Sequence, residues 1–245
     1  MEIKPSIKFI AQRLLRGKVT IFTGAGMSTA SGLPDFRSVQ NGLWGKIDPM
    51  AVANVKCLRS NYSQFRDFYK MRIDCLNGVE PNQGHIFISE LEKQGKLTGL
   101  ITQNVDGLHE LAGSVNMAAL HGHLREVFCE NCRTPSTIEA FMNNQSCSAC
   151  NGPLRPGVVL FGENLPRDQM KLADDFTYQC ETFMVLGSSL QVAPANLYPE
   201  RAQYNKAKLI IINNDPTPLD KLADVVLHEP IVDVLEQVKA AMKTL

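Results

Sequence analysis

Residues 18–29 read KVTIFTGAGMST, a β-branched and aromatic run that ends in two closely spaced glycines. Val19, Ile21 and Phe22 suit a strand covered on both faces, and Gly24 and Gly26 suit a tight turn from which a helix should open. Glycines in such a turn let backbone N–H groups approach a pyrophosphate, and a helix N-terminus adds positive potential. The same residues also suit a plain strand-to-helix turn. A full dinucleotide fingerprint asks for a third glycine where Thr29 stands, and for an acidic residue closing a second strand.

Outward from this segment, four more runs share its character: LTGLITQN at 97–104, TFMVLGSS at 182–189, KLIIIN at 208–213 and DVVLHE at 224–229. Helical patterns separate them, notably HIFISELEKQG at 85–95 and the segment around 168–180. Ile3, Ile7, Ile10, Leu14 and Leu15 predict an amphipathic helix over 3–16 that stops at Gly17. The β-α alternation predicts a Rossmann-like, doubly wound parallel α/β sheet. Two stretches break it. Residues 36–80 carry helix-like runs only, and 124–155 carry four paired cysteines. The expected organisation is therefore a Rossmann-like domain from 1–35, 81–123 and 156–245, with a smaller helical and zinc-ribbon domain from 36–80 and 124–155.

Composition narrows the partners. Twenty-five lysines and arginines balance twenty-five aspartates and glutamates, so no basic excess points to nucleic acid. Polar residues interrupt every apolar stretch of the first twenty residues, which fits neither a signal peptide nor a spanning helix; the expectation is a cytoplasmic protein without a membrane partner. Seven cysteines in such a chain favour thiols and metal ligation over disulfides. Cys57, Cys75 and Cys180 read as small buried hydrophobes. Cys129, Cys132, Cys147 and Cys150 form C-x2-C-x14-C-x2-C, the spacing of a zinc ribbon, in which two knuckles supply four thiolates to one tetrahedral ion. Four thiolates close the coordination sphere, so this zinc should be structural and not catalytic.

Ligands of open α/β sheets sit at the carboxyl ends of the strands. Besides the 24–29 turn, three such ends carry small or amide side chains: Gln103, Asn104 and Asp106; Gly187, Ser188 and Ser189; Asn213, Asn214 and Asp215. Their convergence suits a ligand rich in hydroxyls and phosphates. His121, in LHGH just before the cysteine module, is placed to act as a general base. His109 and His85 read as structural, and His123 and His228 have no visible role.

Taken together, GAGMS at 24–28, GLPDFR at 32–37, TQNVDGLH at 102–109, HG at 121–122, the two CxxC pairs, RPGVVLFGE at 155–163, GSSLQVAPA at 187–195 and IIN at 211–213 resemble the sirtuins, the NAD-dependent lysine deacylases. These motifs span nearly the whole chain in that family's order. The resemblance implies that NAD is a co-substrate met by the turn residues Gly24, Ala25, Gly26, Ser28 and Thr29, and by Asp35, Phe36 and Arg37. It further implies that Ser28, Asn104, Val105 and Asp106 lie near the nicotinamide and its ribose, and that Gln103 holds ribose hydroxyls. Gly187, Ser188, Ser189, Asn213 and Asn214 would take the adenosine half, with a backbone contact from Ile231. In the reaction so implied, the acyl oxygen attacks the ribose carbon bearing nicotinamide, and His121, assisted by Asn104, deprotonates a ribose hydroxyl. Lysine, nicotinamide and acyl-ADP-ribose are the products.

The resemblance also places the acyl-lysine protein or peptide as an added strand against Gly162, Glu163 and Asn164. Val158, Val159 and Phe161 then line a tunnel for the lysine stem, a pattern equally compatible with ordinary core. Tyr69 and Arg72, at i and i+3, match the Y-x-x-R pair by which members that remove succinyl or malonyl groups bind the acyl carboxylate, with Ala53 leaving room. Those members often have threonine where this chain has Asp35, so acetyl-lysine is the expected main substrate and succinyl- or malonyl-lysine a second. A monomer is expected. Two rivals share these features: an ADP-ribosyltransferase using the same NAD site, and a binding module that senses NAD without turnover. The zinc module, between His121 and the FGE segment, is expected to hold the small domain so that the cleft is correctly shaped.

Overall fold

A computed structural model describes residues 3–34 and 49–245. The strands in chain order are β1 (Val19–Thr23), β2 (Leu97–Thr102), β3 (Met117–Ala119), β4 (Gly122–Cys129), β5 (Pro135–Ser136), β6 (Leu154–Val158), β7 (Thr182–Leu186), β8 (Lys208–Ile212) and β9 (Val225–Leu227). Six of them form one parallel sheet in the order β3-β2-β1-β7-β8-β9. The chain runs outward from β1 in one direction and from β7 in the other, so the topological switch point lies between them.

All five residues of β1 are buried, and they alternate between two cores. Val19 and Ile21 face Ile7, Ile10 and Leu14 of the helix Pro5–Arg16, together with Val234, Leu235 and Val238 of the helix Ile231–Met242. Phe22 faces the opposite side, with Phe176, Phe183 and Tyr198. The N-terminal helix begins with proline in its first turn and ends at Gly17, whose φ of 84° few side chains tolerate. The five predicted strands are present. β3 joins them unannounced, because three residues, Met-Ala-Ala, carry no readable pattern; its pairing of Met117 with Leu100 places it at the sheet edge.

The second sheet is antiparallel, in the order β5-β4-β6. None of its strands is visible in the sequence pattern. β4 is bulged between His123 and Val127, and β6 reads Leu-Arg-Pro-Gly-Val. Against this sheet pack the helices Pro49–Val52, Val55–Ser60 and Tyr62–Asp74. Asn54 and Asn61 cap the second and third by accepting the N–H groups of Cys57 and Gln64. Phe65, Phe68 and Tyr69 from the helices meet Leu124, Val127, Phe141 and Leu154 in a third core.

The four paired cysteines close this lobe. All four Sγ atoms lie within 4.8 Å of one another, with Cys129–Cys150 at 3.5 Å and Cys132–Cys147 at 3.6 Å. Sulfurs on a tetrahedral zinc, each at about 2.3 Å, stand about 3.8 Å apart, so the donor set fits one such ion. The two knuckles turn alike. Arg133 and Asn151, each following the second cysteine of its pair, adopt φ of 61° and 57° and return their N–H groups to the carbonyls of Cys129 and Cys147.

Candidate active site

The carboxyl ends of β1, β2, β7 and β8 meet at the switch point. After Thr23 the chain opens the expected helix, which is a 3-10 helix, Ala25–Ser31. The N–H groups of Gly24 and Gly26 donate to the carbonyls of Leu186 (3.1 Å) and Gly187 (2.9 Å). A Cβ at Gly24 would stand 2.7 Å from the Gly187 carbonyl oxygen, and one at Gly187 would stand 2.4 Å from the Met27 nitrogen. The glycines thus let the turns after β1 and β7 pack backbone to backbone, and two amides read as open to a phosphate are engaged inside the protein. Thr29 is exposed, its hydroxyl turned onto the Gly26 carbonyl.

A buried polar group fills the floor. The Asn104 amide donates to the Gly24 carbonyl (3.0 Å) and to Ser28 Oγ (3.2 Å), and Ser28 in turn donates to Asp106 Oδ2 (2.8 Å). Asp106 Oδ1 accepts the Leu108 N–H. Burial raises the Asp106 carboxyl above its ordinary range, opposed by these hydrogen bonds. Gln103 reaches across from β2 to donate to Ser188 Oγ, 2.8 Å away. Ser189 is half-buried beside Ser188. Asn213 donates to its own turn at Asp215, while its carbonyl accepts from His228 Nδ1, which gives that histidine a brace role the sequence does not show. Asn214 is exposed, and Ile231 opens the last helix with its side chain in the core that holds Met27.

His121 stands on the rim. Its Nδ1 lies 3.1 Å from the Gln103 carbonyl oxygen, and a carbonyl can only accept, so the proton sits on Nδ1 and the Nε2 lone pair has no partner among the described residues. Burial pushes its pKa below the ordinary histidine value, against the opposing pull of that carbonyl, so it is an unprotonated base at neutral pH. The next residue explains the HG pair: Gly122 has φ 73°, and a Cβ there would fall 2.0 Å from the Gly157 carbonyl oxygen. Only glycine lets β4 lie this close to β6.

Ala25, Ser28, Asn104, Val105 and Asp106 share a cavity with Arg72. Arg72 and Tyr69 are both buried, facing inward on the helix Tyr62–Asp74, and the guanidinium stacks 5.6 Å from the Tyr69 ring centre and 5.9 Å from that of Phe68. Burial lowers the Arg72 pKa, opposed by Tyr69 and Asp106. Ala53 is buried in the same lobe.

In the RPGVVLFGE segment, Val158 belongs to the third core, Val159 packs against the second, and Phe161 is 42% exposed. Phe161 bridges to Asn54: its N–H donates to the Ala53 carbonyl and its carbonyl accepts the Val55 N–H, so one edge of the segment is already paired. Gly162 and Asn164 are exposed. Glu163 is committed inward. Its carboxylate takes two hydrogen bonds from Arg155, at 2.7 and 3.0 Å, and a third from the Leu160 N–H at 2.8 Å. Arg155, 1% exposed, also bridges to Glu130 at 3.3 Å. Sequence reading passed over this arginine, since nothing in a strand pattern marks a buried cation. Asp35, Phe36 and Arg37 lie outside the described residues.

Comparison with known proteins assigns the arrangement. The profile of the Sir2 family matches residues 24–194. An NAD-dependent protein deacetylase of Halalkalibacterium halodurans is 46% identical, over 92% of this chain and 95% of its own. Another, of Saccharolobus solfataricus, is 42% identical over 91% of each chain. Among solved structures, a Sir2 variant with a deacetylated p53 peptide and 3′-O-acetyl-ADP-ribose superposes with a TM-score of 0.90 at 33% identity, covering 96% of this chain and 97% of that one. Sir2Tm bound to a propionylated peptide gives 0.85 at 32% identity, covering 97% and 98%. With the family profile matched over most of its length and relatives at 42–46% identity across nine-tenths of it, the chain belongs to the Sir2 family.

Proposed function

We propose that the protein is an NAD-dependent lysine deacylase that removes acetyl groups from protein lysines and releases nicotinamide and O-acyl-ADP-ribose. The observation that carries this reading is His121: its Nδ1 is held by the Gln103 carbonyl, its Nε2 has no partner among the described residues, and the residue that anchors it neighbours Asn104. The strand-end residues fit the co-substrate. Ser28, Asn104, Asp106, Ser188 and Asn213 are buried polar groups on four adjacent strand ends, the chemistry a hydroxyl- and phosphate-rich ligand asks for. Bound NAD supplies a ribose carbon bearing a cationic leaving group. The protein's task is then to position a weak nucleophile and supply one base. Asn104 and Gln103 orient the nicotinamide ribose, His121 Nε2 takes a proton from a ribose hydroxyl, and Ala25 and Val105 line the reacting end. Ser188, Asn213 and Asn214 serve the adenosine half.

The peptide pairs with the backbone of Gly162–Asn164, with the lysine stem against Val158, Val159 and Phe161. Arg155 holds that edge by gripping Glu163. Succinyl- or malonyl-lysine is a second substrate, its carboxylate met by Tyr69 and Arg72; support comes from the burial of Arg72 in the cavity shared with Asn104. The third core supports treating the helices of 49–74 and the cysteine module as one small domain. His121, Gln103 and Asn104 come from one chain, so a monomer suffices. No described helix is long and apolar enough to cross a membrane; we place the enzyme in the cytoplasm. Incubation with NAD and acetyl-, succinyl- and malonyl-lysine peptides, with products identified by mass, tests the reading. Failure to release nicotinamide and acyl-ADP-ribose with every peptide would refute it.

A further inference from the structure

Four buried polar side-chain atoms without a hydrogen-bond partner among the described residues gather behind the active-site floor: His85 Nε2, Ser89 Oγ, His109 Nδ1 and Ser114 Oγ. All four residues are at most 3% exposed. His85 and Ser89 stand one turn apart on the helix Gln83–Lys93, and His109 opens toward them from the short helix Leu108–Leu111. The two imidazole rings meet edge to face, with centres 4.7 Å apart. The turn after His109 closes the group, since Ser114 donates its N–H to the His109 carbonyl and Gly113 lies against Ser89 Oγ.

The bonds that are made assign direction to this group. The Asn82 N–H points at His85 Nδ1 (3.3 Å), and an amide N–H can only donate, so the His85 proton is on Nε2, the atom left without an acceptor. Asn82 itself holds the glycine turn, donating to the Met27 carbonyl and to Ser31 Oγ. On the other side, His109 Nε2 lies 3.0 Å from Thr23 Oγ1, Thr23 Oγ1 lies 2.8 Å from Thr102 Oγ1, and Thr102 Oγ1 accepts the Asn104 N–H at 3.0 Å. A chain of polar contacts therefore runs from one grip on the glycine turn to the other, broken at a single place between the two imidazoles. Burial keeps both rings neutral, His85 at about 4 and His109 well below its ordinary value. Buried polar groups are rarely left unpaired, and an ordered water needs two to four polar partners, roughly what the gap offers. Two imidazoles and two hydroxyls, with no carboxylate or thiol among the four, suit water better than a transition metal.

We propose that this gap is an ordered-water site, and that His85 and His109 are positioning residues which, joined through that water, hold the Thr23–Thr102 hydroxyl pair on which the Asn104 main chain hangs. The effect on turnover rests on the deacylase reading; the water does not. The test has two arms. A high-resolution crystal structure of the full chain should show water within hydrogen-bond distance of both His85 Nε2 and His109 Nδ1, and a dry gap would overturn the proposal. In kinetics, His109→Phe keeps the bulk and removes the polar link, so kcat should fall roughly tenfold or more with KM for the acetylated peptide unchanged. His109→Gln, whose amide restores a donor toward Thr23 and a partner for the water, should recover most of that loss. A folded His109→Phe enzyme with wild-type kcat, or a folded His109→Gln enzyme as impaired as His109→Phe, would also overturn it. If His109→Phe does not fold, the crystallographic arm and His109→Gln decide. A wild-type protein without acyl-peptide-dependent nicotinamide release would instead sink the deacylase reading, leaving the water to be judged by the crystal alone.

Discussion

The two faces of the active-site cleft are built by different means. The face formed by the strand ends of the six-stranded sheet rests on continuous hydrogen-bonded ladders and on two large cores, so its geometry is spread over dozens of buried apolar side chains. The face formed by the three-stranded sheet has one core and relies on a few discrete anchors: the four thiols, the Arg155–Glu163 pair, and the close approach of Gly122 to β6. Distributed burial degrades gradually when single residues change. Point anchors fail one at a time, each with a recognisable loss.

Removal of zinc should produce the largest effect. A structural four-thiolate site contributes folding free energy outright, of order 10 kcal/mol in isolated zinc modules. Cys129→Ser or prolonged chelation should abolish deacylation and remove hydrogen-exchange protection from 122–158, while β1, β7 and β8 keep theirs. A chelated, metal-free protein with full activity would break the contrast between the faces.

His121→Ala separates chemistry from architecture. Loss of a positioned general base costs about 10²–10⁴ in rate. The melting temperature should stay close to wild type, because the anchors of both faces remain. The wild-type pH profile sharpens the assignment. Burial lowers the His121 pKa, so the midpoint of the acid limb of activity should lie below the ordinary histidine value of about 6.5. That limb should vanish from the residual activity of His121→Ala. A midpoint above pH 6.5 would contradict the burial.

Arg155→Leu tests the second anchor. It leaves the Glu163 carboxylate without its two charged hydrogen bonds and should cost about 3 kcal/mol, read in a denaturant titration. Because Glu163 then releases the segment that ends at Asn164, KM for the peptide should rise more than KM for NAD. Equal changes in both would mean that the pair stabilises the fold without shaping the peptide edge.

The same contrast governs what the sequence reveals. Parallel strands buried on both faces leave apolar runs, visible as such at β1, β2, β7 and β8; β9, as short as β3 and half-buried, still shows because it reads Val-Val-Leu and β3 does not because it reads Met-Ala-Ala. Helix stops at Gly17 and the paired cysteines are local in sequence, so spacing alone discloses them. The small sheet hides because its strands violate the pattern by which strands are found: β6 carries a proline, a glycine and a fully buried arginine, tolerable only because Glu163 and Glu130, both outside the strand, neutralise it. At the site, the strand-end amides and His121 stand out by residue type. The tautomer of His121 does not, since it depends on a carbonyl eighteen residues away. Nor does the inward engagement of the Gly24 and Gly26 amides, which is set by packing against β7.

The smallest expected effect concerns acyl choice, and it falls where the two faces touch. Arg72 belongs to the small lobe by sequence and core, yet it lines the cavity of Ser28, Asn104 and Asp106 on the other face. If its guanidinium meets an acyl carboxylate, Arg72→Met should lower kcat/KM for succinyl-lysine about tenfold or more and leave acetyl-lysine within about twofold, since one charge-assisted hydrogen-bonded contact is worth about 1.5–3 kcal/mol. Methionine fills similar volume without the charge, so the core against Tyr69 and Phe68 is largely preserved. An equal loss for both acyl groups would instead make Arg72 a support for Asp106, which lies in its electrostatic field. In that case the contrast between the faces would need redrawing, with one residue of the small lobe serving as an anchor for the strand-end floor.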